Sequence, residues 1–191
     1  MDKDLVLAGL AHDLNNVLQT VAHVADILST DRQWSAESDL LIRCVDRGRA
    51  ILESLQEEPS VVDLHEVAKR AAHGAEPLAV RIEIPHELQF VGKPLAFERA
   101  LLNLLWNSAR AGASECHIVA EKQDGSYRIE VADNGPGIPE ADLSKVFAPG
   151  FSTTASTGLG LRIVESIVQN HGGNIAVFNR GGACFQIRIP A

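Results

Sequence analysis

From Leu7 onward the apolar residues recur at Leu7, Leu10, Leu14, Val17, Val21, Val24 and Leu28, in alternating steps of three and four. That spacing keeps one seam of an α-helix apolar and predicts a helix packed in a bundle. A polar break over residues 29–36 follows, and a second series at Leu41, Cys44, Gly48, Ile51 and Leu55 repeats the pattern. Two antiparallel helices are predicted. A two-helix hairpin has too little core to stand alone, so its seam calls for another hairpin, most economically from a second copy of the chain. The expectation is a homodimeric four-helix bundle built by residues 1–58. Residues 56–60, with Pro59 among polar neighbours, end the second helix and serve as a linker.

Beyond the linker the period changes. Short β-like runs at residues 80–84, 89–91, 116–123, 127–132, 174–179 and 183–189 alternate with helical patterns near 64–75, 95–111 and 159–170. Asp124-Gly125 and Gly181-Gly182 are turn signals that join neighbouring strands into hairpins. Residues 59–191 therefore read as a second domain, an α/β sandwich with a helical layer on a mixed sheet, and the chain as α+β.

Composition narrows the class. No apolar run approaches the roughly 20 residues that span a bilayer, and the acidic start Met1-Asp2-Lys3-Asp4 is unlike a secretory signal. The expected location is cytoplasmic, with no direct membrane insertion. A net charge of −8 disfavours nucleic-acid binding, because phosphate backbones select for surplus Lys and Arg. The cysteines, Cys44, Cys116 and Cys184, stand singly and read as reduced, mostly buried thiols, not as a zinc site or disulfide framework.

With Leu7 at a and Leu10 at d, His12 falls at f, pointing away from the bundle core. Asp13 follows it, and Asn16 lies one turn further on along the same side. Phosphorylating an imidazole requires a neutral ring with a free nitrogen facing the phosphate, and a nearby carboxylate orients the ring or takes its proton. Asp13 suits that task. His23, His65, His73, His86, His117 and His171 lack this context and read as ordinary histidines, His171 as a helix C-terminal residue before Gly172.

Arg99, Asn103, Asn107 and Arg110 fall at steps of four, four and three, a polar stripe on a Leu-rich helix. A solvated face would more often carry Lys and Glu than paired asparagines, so the stripe reads as ligand-facing. An asparagine carbonyl suits Mg²⁺, which takes few protein oxygens and completes its shell with phosphates and water. Asp133 ends a predicted strand and precedes Asn134-Gly135-Pro136-Gly137. A carboxylate there can accept the exocyclic amine of adenine, while glycines let the backbone approach the flat base. Gly158 and Gly160 open a helix whose free N–H groups and positive dipole end would meet a phosphate. Residues 147–157 between them read as a lid with Phe147 and Phe151 as apolar anchors.

The segments AHDLNN (residues 11–16), NLLWNSAR (103–110), DNGPGIP (133–139), FAPGF (147–151) and STGLGL (156–161), in this order and spacing, closely resemble the bacterial sensor histidine kinases of two-component signalling. The resemblance covers nearly the whole chain. It implies a dimerisation and histidine-phosphotransfer hairpin followed by an ATP-binding domain of the GHKL type. On that pattern His12 is the phosphorylated residue, Asp13 assists phosphorylation, and Asn16 orients water that removes phosphate from the partner. Asn107 matches the Mg²⁺ ligand. The ATP contacts implied are Asn103, Asn107, Arg110, Asp133, Gly135, Gly137, Phe147, Phe151, Thr157, Gly158, Leu159 and Gly160. Arg110 stands where the family more often has Lys, and Asn103 where related ATPases carry a glutamate that activates water. A site without that carboxylate is expected to hydrolyse poorly and to hold its γ-phosphate for an incoming nucleophile.

Two departures stand out. Only Ala155-Ser156-Thr157 separates the paired threonines from Gly158, a shorter lid than relatives carry, and Val17 replaces a proline common just after the histidine motif. The expected function is autophosphorylation of His12 from ATP and transfer to an aspartate of a response-regulator receiver, with possible phosphatase activity. The helix face below His12, including Gln19, Thr20, His23, Asp26 and Ile27, is expected to select the receiver. Only eleven residues precede His12, so a signal is expected from a separate sensor partner unless the chain is a fragment. The alternatives are a phosphotransfer and docking module with a degenerate ATP site, and an ATPase or serine kinase of the same superfamily.

Overall fold

The structure is a computed structural model, and it describes residues 14, 16–24, 27–28, 34, 41, 44–45, 48, 52, 57–148 and 160–191. The chain divides into two compact units, Met1–Glu58 and Pro59–Ala191.

In the first unit residues 16–24 are helical. Val45 and Leu52 are buried, and Leu18 lies so close over Gly48 that a Cβ there would sit 2.8 Å from Cδ2. The inward face of the second helix thus runs through Val45, the half-buried Gly48 and Leu52, at steps of three and four. Cys44 falls off that face and is exposed, against the expectation of a buried thiol. On the first helix Leu14, Val17, Val24 and Ile27 are 44–58% exposed in the single chain.

The second unit begins with a strand that the sequence pattern does not predict. Ser60–Asp63 (β1) pairs antiparallel with Gln89–Gly92 (β3), Val62 opposite Phe90, as a separate two-stranded ribbon. Only four residues long, β1 carries too little alternation to stand out from a linker. Asp63 then caps the helix Leu64–His73 (α1), its Oδ1 accepting the Glu66 N–H at 3.1 Å.

The main sheet comprises Ala79–Glu83 (β2), Glu115–Gln123 (β4), Ser126–Asp133 (β5), Asn174–Asn179 (β6) and Ala183–Pro190 (β7), in the order β2-β4-β5-β7-β6. β2 and β4 run parallel and the other neighbours antiparallel, so the sheet is mixed, as the sequence predicts. Asp124 and Gly125, with φ of 49° and 73°, make the tight β4–β5 hairpin. Period-two alternation puts Ile118, Ile129, Val131, Phe185, Ile187 and their neighbours on one face. Against that face α1, Pro94–Arg110 (α2) and Gly160–Asn170 (α4) pack Leu64, Phe97, Leu101, Leu104, Leu105, Val164 and Val168 in one core. A four-residue helix, Glu140–Leu143 (α3), falls outside the predicted elements.

On the opposite face Glu130 is only 5% exposed, yet it is fully engaged. It accepts hydrogen bonds from Arg128 Nη1 (2.8 Å), Gln186 Nε2 (2.8 Å) and Arg180 Nη2 (2.7 Å).

His171 does more than end a helix. Its Nε2 accepts the N–H of Lys93, the N-cap of α2, at 3.0 Å, which leaves Nδ1 to donate to Ile167 O at 2.7 Å. Lys93 offers no side-chain cap, so this imidazole satisfies a donor at the helix start and ties the end of α4 to it. Gly92 is required by the contact, since a Cβ there would lie 2.8 Å from His171 Cδ2. Among the described residues no helix is long and apolar enough to cross a membrane.

Candidate active site

The end of β5 and the last turns of α2 meet through one buried contact. Ser108 Oγ donates to Asp133 Oδ2 at 2.8 Å, with Ser108 3% and Asp133 9% exposed. Asp133 Oδ1 accepts two backbone donors, Gly135 N at 3.0 Å and Ala183 N at 2.9 Å. The carboxylate is therefore held by donors from α2, its own loop and the start of β7. Gly182 has to be glycine, because a Cβ would stand 2.7 Å from the carbonyl carbon and the Oδ1 of Asp133.

The glycine loop after Asp133 is pinned at two further points. Asn134 Oδ1 accepts the N–H groups of Ser114 and Glu115, each at 3.0 Å, which ties the loop to the start of β4. Asn179 clamps Ile138 in both directions: its Oδ1 accepts the Ile138 N–H at 2.9 Å and its Nδ2 donates to the Ile138 carbonyl at 2.7 Å. Gly137 takes a φ of 75°, and a Cβ there would lie 2.8 Å from Asn179 Oδ1. The loop is thus rigid where a flat ligand would lie, and Ile138, Phe147 and Leu161 are partly buried against the core beside it.

Asn107 sits one residue before Ser108 and is half-buried, with no side-chain hydrogen bond among the described residues. An amide left in that state has its carbonyl free to serve a cation, so the residue fits a Mg²⁺ ligand. Arg110 is exposed in the last turn of α2, where its charge also complements the helix dipole. Asn103 is different. It is 4% exposed and its Nδ2 donates to Arg99 O, one turn back in its own helix, at 2.8 Å.

Of the other residues singled out in the sequence, Gly135 and Gly137 lie in the fixed loop and Gly160 opens α4. Asn16 is exposed on the first helix, and its carbonyl accepts the Thr20 hydroxyl at 3.0 Å. His12, Asp13, Phe151, Thr157, Gly158 and Leu159 lie outside the described residues. The sequence reading missed Ser108, Asn179 and Gly182. Ser108 was in view inside NLLWNSAR, but its role depends on a partner in another element.

Cys116, at the start of β4, is buried. Burial pushes its thiol up from the usual 9.0, and the charges of Asp133 and Glu115 push the same way while the Ser108 hydroxyl works against them.

A family model described as histidine kinase-, DNA gyrase B-, and HSP90-like ATPase matches residues 92–191. The sensor protein KdpD of Escherichia coli is 34% identical over 98% of the chain, which covers 24% of KdpD. The chain spans about a quarter to a half of the length of the curated relatives it matches. Among solved structures, the catalytic domain of the histidine kinase ThkA superposes with a TM-score of 0.64 at 29% identity, over 70% of this chain and 95% of that one. The ATP-binding domain of PrrB from Mycobacterium tuberculosis gives 0.61 at 31% identity, over 71% and 98%. The mixed sheet under three helices, the strand-end carboxylate and the fixed glycine loop agree with these matches: the chain belongs to the histidine kinase-, DNA gyrase B- and HSP90-like ATPase family and carries an ATP-binding catalytic domain of the histidine-kinase kind.

Proposed function

We propose that the chain is the catalytic core of a protein-histidine kinase that transfers the γ-phosphoryl group of ATP to His12. The observation that carries this reading is the Asp133 carboxylate at the end of β5, fixed by Gly135, Ala183 and Ser108, the residue that follows Asn107 in α2. Asp133 accepts the exocyclic amine of adenine, and the loop held by Asn134 and Asn179 supports the flat base. Asn107 would hold Mg²⁺, which supplies neutralising charge to the phosphates, and Arg110 adds a cation at the same end of α2. The glycines before α4 present backbone N–H groups to the phosphates.

At the acceptor, Asp13 orients the His12 imidazole or takes its proton, leaving the opposite nitrogen to attack. No carboxylate stands at Asn103, whose amide is instead bound to Arg99 O, so water lacks a base and the histidine is the favoured nucleophile. The phosphoryl group then passes to an aspartate of a response-regulator receiver docked on the helix face below His12, and Asn16 serves the reverse, phosphatase direction. The exposed stripe Leu14, Val17, Val24 and Ile27 is the face through which two copies form a four-helix bundle.

Incubation with γ-labelled ATP and Mg²⁺ tests the reading. Wild type acquires acid-labile, alkali-stable label, and both His12→Gln and Asn107→Ala lose it. Label retained by His12→Gln would contradict the assignment, and release of free phosphate without labelling would favour an ATPase. Failure to bind ATP at all would make the chain a docking module.

A further inference from the structure

We propose that Ser108 is a positioning residue that sets the base preference of the nucleotide site, by fixing the one acceptor direction that Asp133 has left; this rests on Asp133 receiving the purine amine. A carboxylate has about four acceptor positions, two on each oxygen. Oδ1 spends both of its own on the N–H groups of Gly135 and Ala183. Oδ2 spends one on Ser108. A single position on Oδ2 remains.

The Ser108 hydroxyl has one proton and two acceptors within reach, Asp133 Oδ2 at 2.8 Å and Leu104 O at 3.3 Å. The shorter contact to the charged group takes it. The donors of Ser108, Gly135 and Ala183 thus all point toward the carboxylate. With its proton on Oδ2, the Ser108 hydroxyl does not offer one to the base. A 6-amino purine finds an acceptor there, while a 6-oxo purine sets its own acceptor against a carboxylate. Without the Ser108 hydroxyl, Oδ2 has two open positions, water can bridge it to either kind of base edge, and discrimination relaxes.

The test is equilibrium titration of the full chain with ATP and with inosine triphosphate, which replaces the 6-amine by an oxo group. Wild type should prefer ATP. Ser108→Ala should lower that preference about tenfold, the worth of one hydrogen bond to a charged group. Ser108→Thr, which keeps the hydroxyl, should restore it, and Ser108→Cys, close in volume but a weak donor, should behave like the alanine variant. Circular dichroism checks that each variant is folded. A Ser108→Ala preference within twofold of wild type, with the preference lost in Asp133→Asn, overturns the role of Ser108 and leaves the adenine contact standing. An ATP preference that survives Asp133→Asn overturns the adenine contact and this inference with it.

Discussion

Glu130 shows how a charged residue is kept inside a small sheet. Burial alone would raise its carboxyl, but hydrogen bonds from Arg180 and Gln186, with the charges of Arg128 and Arg180, outweigh it and hold the group below its ordinary 4.5. A depressed carboxyl contributes stability that is fully present above the unfolded value and is lost as pH falls through the folded one. Thermal melts should therefore show wild type losing stability below about pH 4.5 in part through Glu130. Glu130→Gln should be less stable at neutral pH, by about 2 kcal/mol, with a shallower decline on acidification; identical acid limbs in the two proteins would contradict this. At the same scale the sequence shows Asp133, Gly135 and Gly137, because a carboxylate followed by a glycine turn is a local signal. Asn179 is invisible there. Its amide clamps Ile138 from 41 residues away, and no pattern around Asn179 marks it as anything but a strand end. Asn103 and Asn107 look alike in a polar stripe, but burial turns the first back onto its own helix while the second stays unengaged among the described residues.

In the second unit, the longer runs of alternation correspond to strands of the structure. β4, β5, β6 and β7 follow the predicted runs to within one residue at each end, since each alternates over six or more residues against a buried face. β1 and α3, four residues each, fall below what a pattern can show. His171 was legible only as a helix terminus, because the Lys93 N–H that it satisfies lies 78 residues away. The first helix raises the opposite case, an apolar face left half exposed in the single chain: Leu14, Val17, Val24 and Ile27 are 44–58% exposed while Val45 and Leu52 are buried. Covering that stripe with a second copy would stabilise the pair by roughly 25 cal/mol per Å² of apolar surface removed from water. Sedimentation should find wild type as a dimer and Val17→Glu with Val24→Glu as a monomer. A wild-type monomer at micromolar concentration would contradict the bundle.

At the scale of the molecule, the two units carry different parts of the proposed chemistry. Pro59–Ala191 carries the held carboxylate, the fixed loop and the unengaged Asn107, and it matches ATP-binding domains over its whole depth of sheet and helices. Met1–Glu58 carries His12 and the acid that follows it, Asp13. The proposed reaction forms a phosphoramidate between a His12 ring nitrogen and the γ-phosphorus of ATP, with ADP as the leaving group. Phosphorus-31 spectroscopy of the full chain after turnover with ATP and Mg²⁺, with the labelled peptide then sequenced, reads that bond directly. A single phosphoramidate resonance that maps to the peptide containing His12 is the predicted result. A phosphoester on serine or threonine, or inorganic phosphate with no protein-bound resonance, would contradict it.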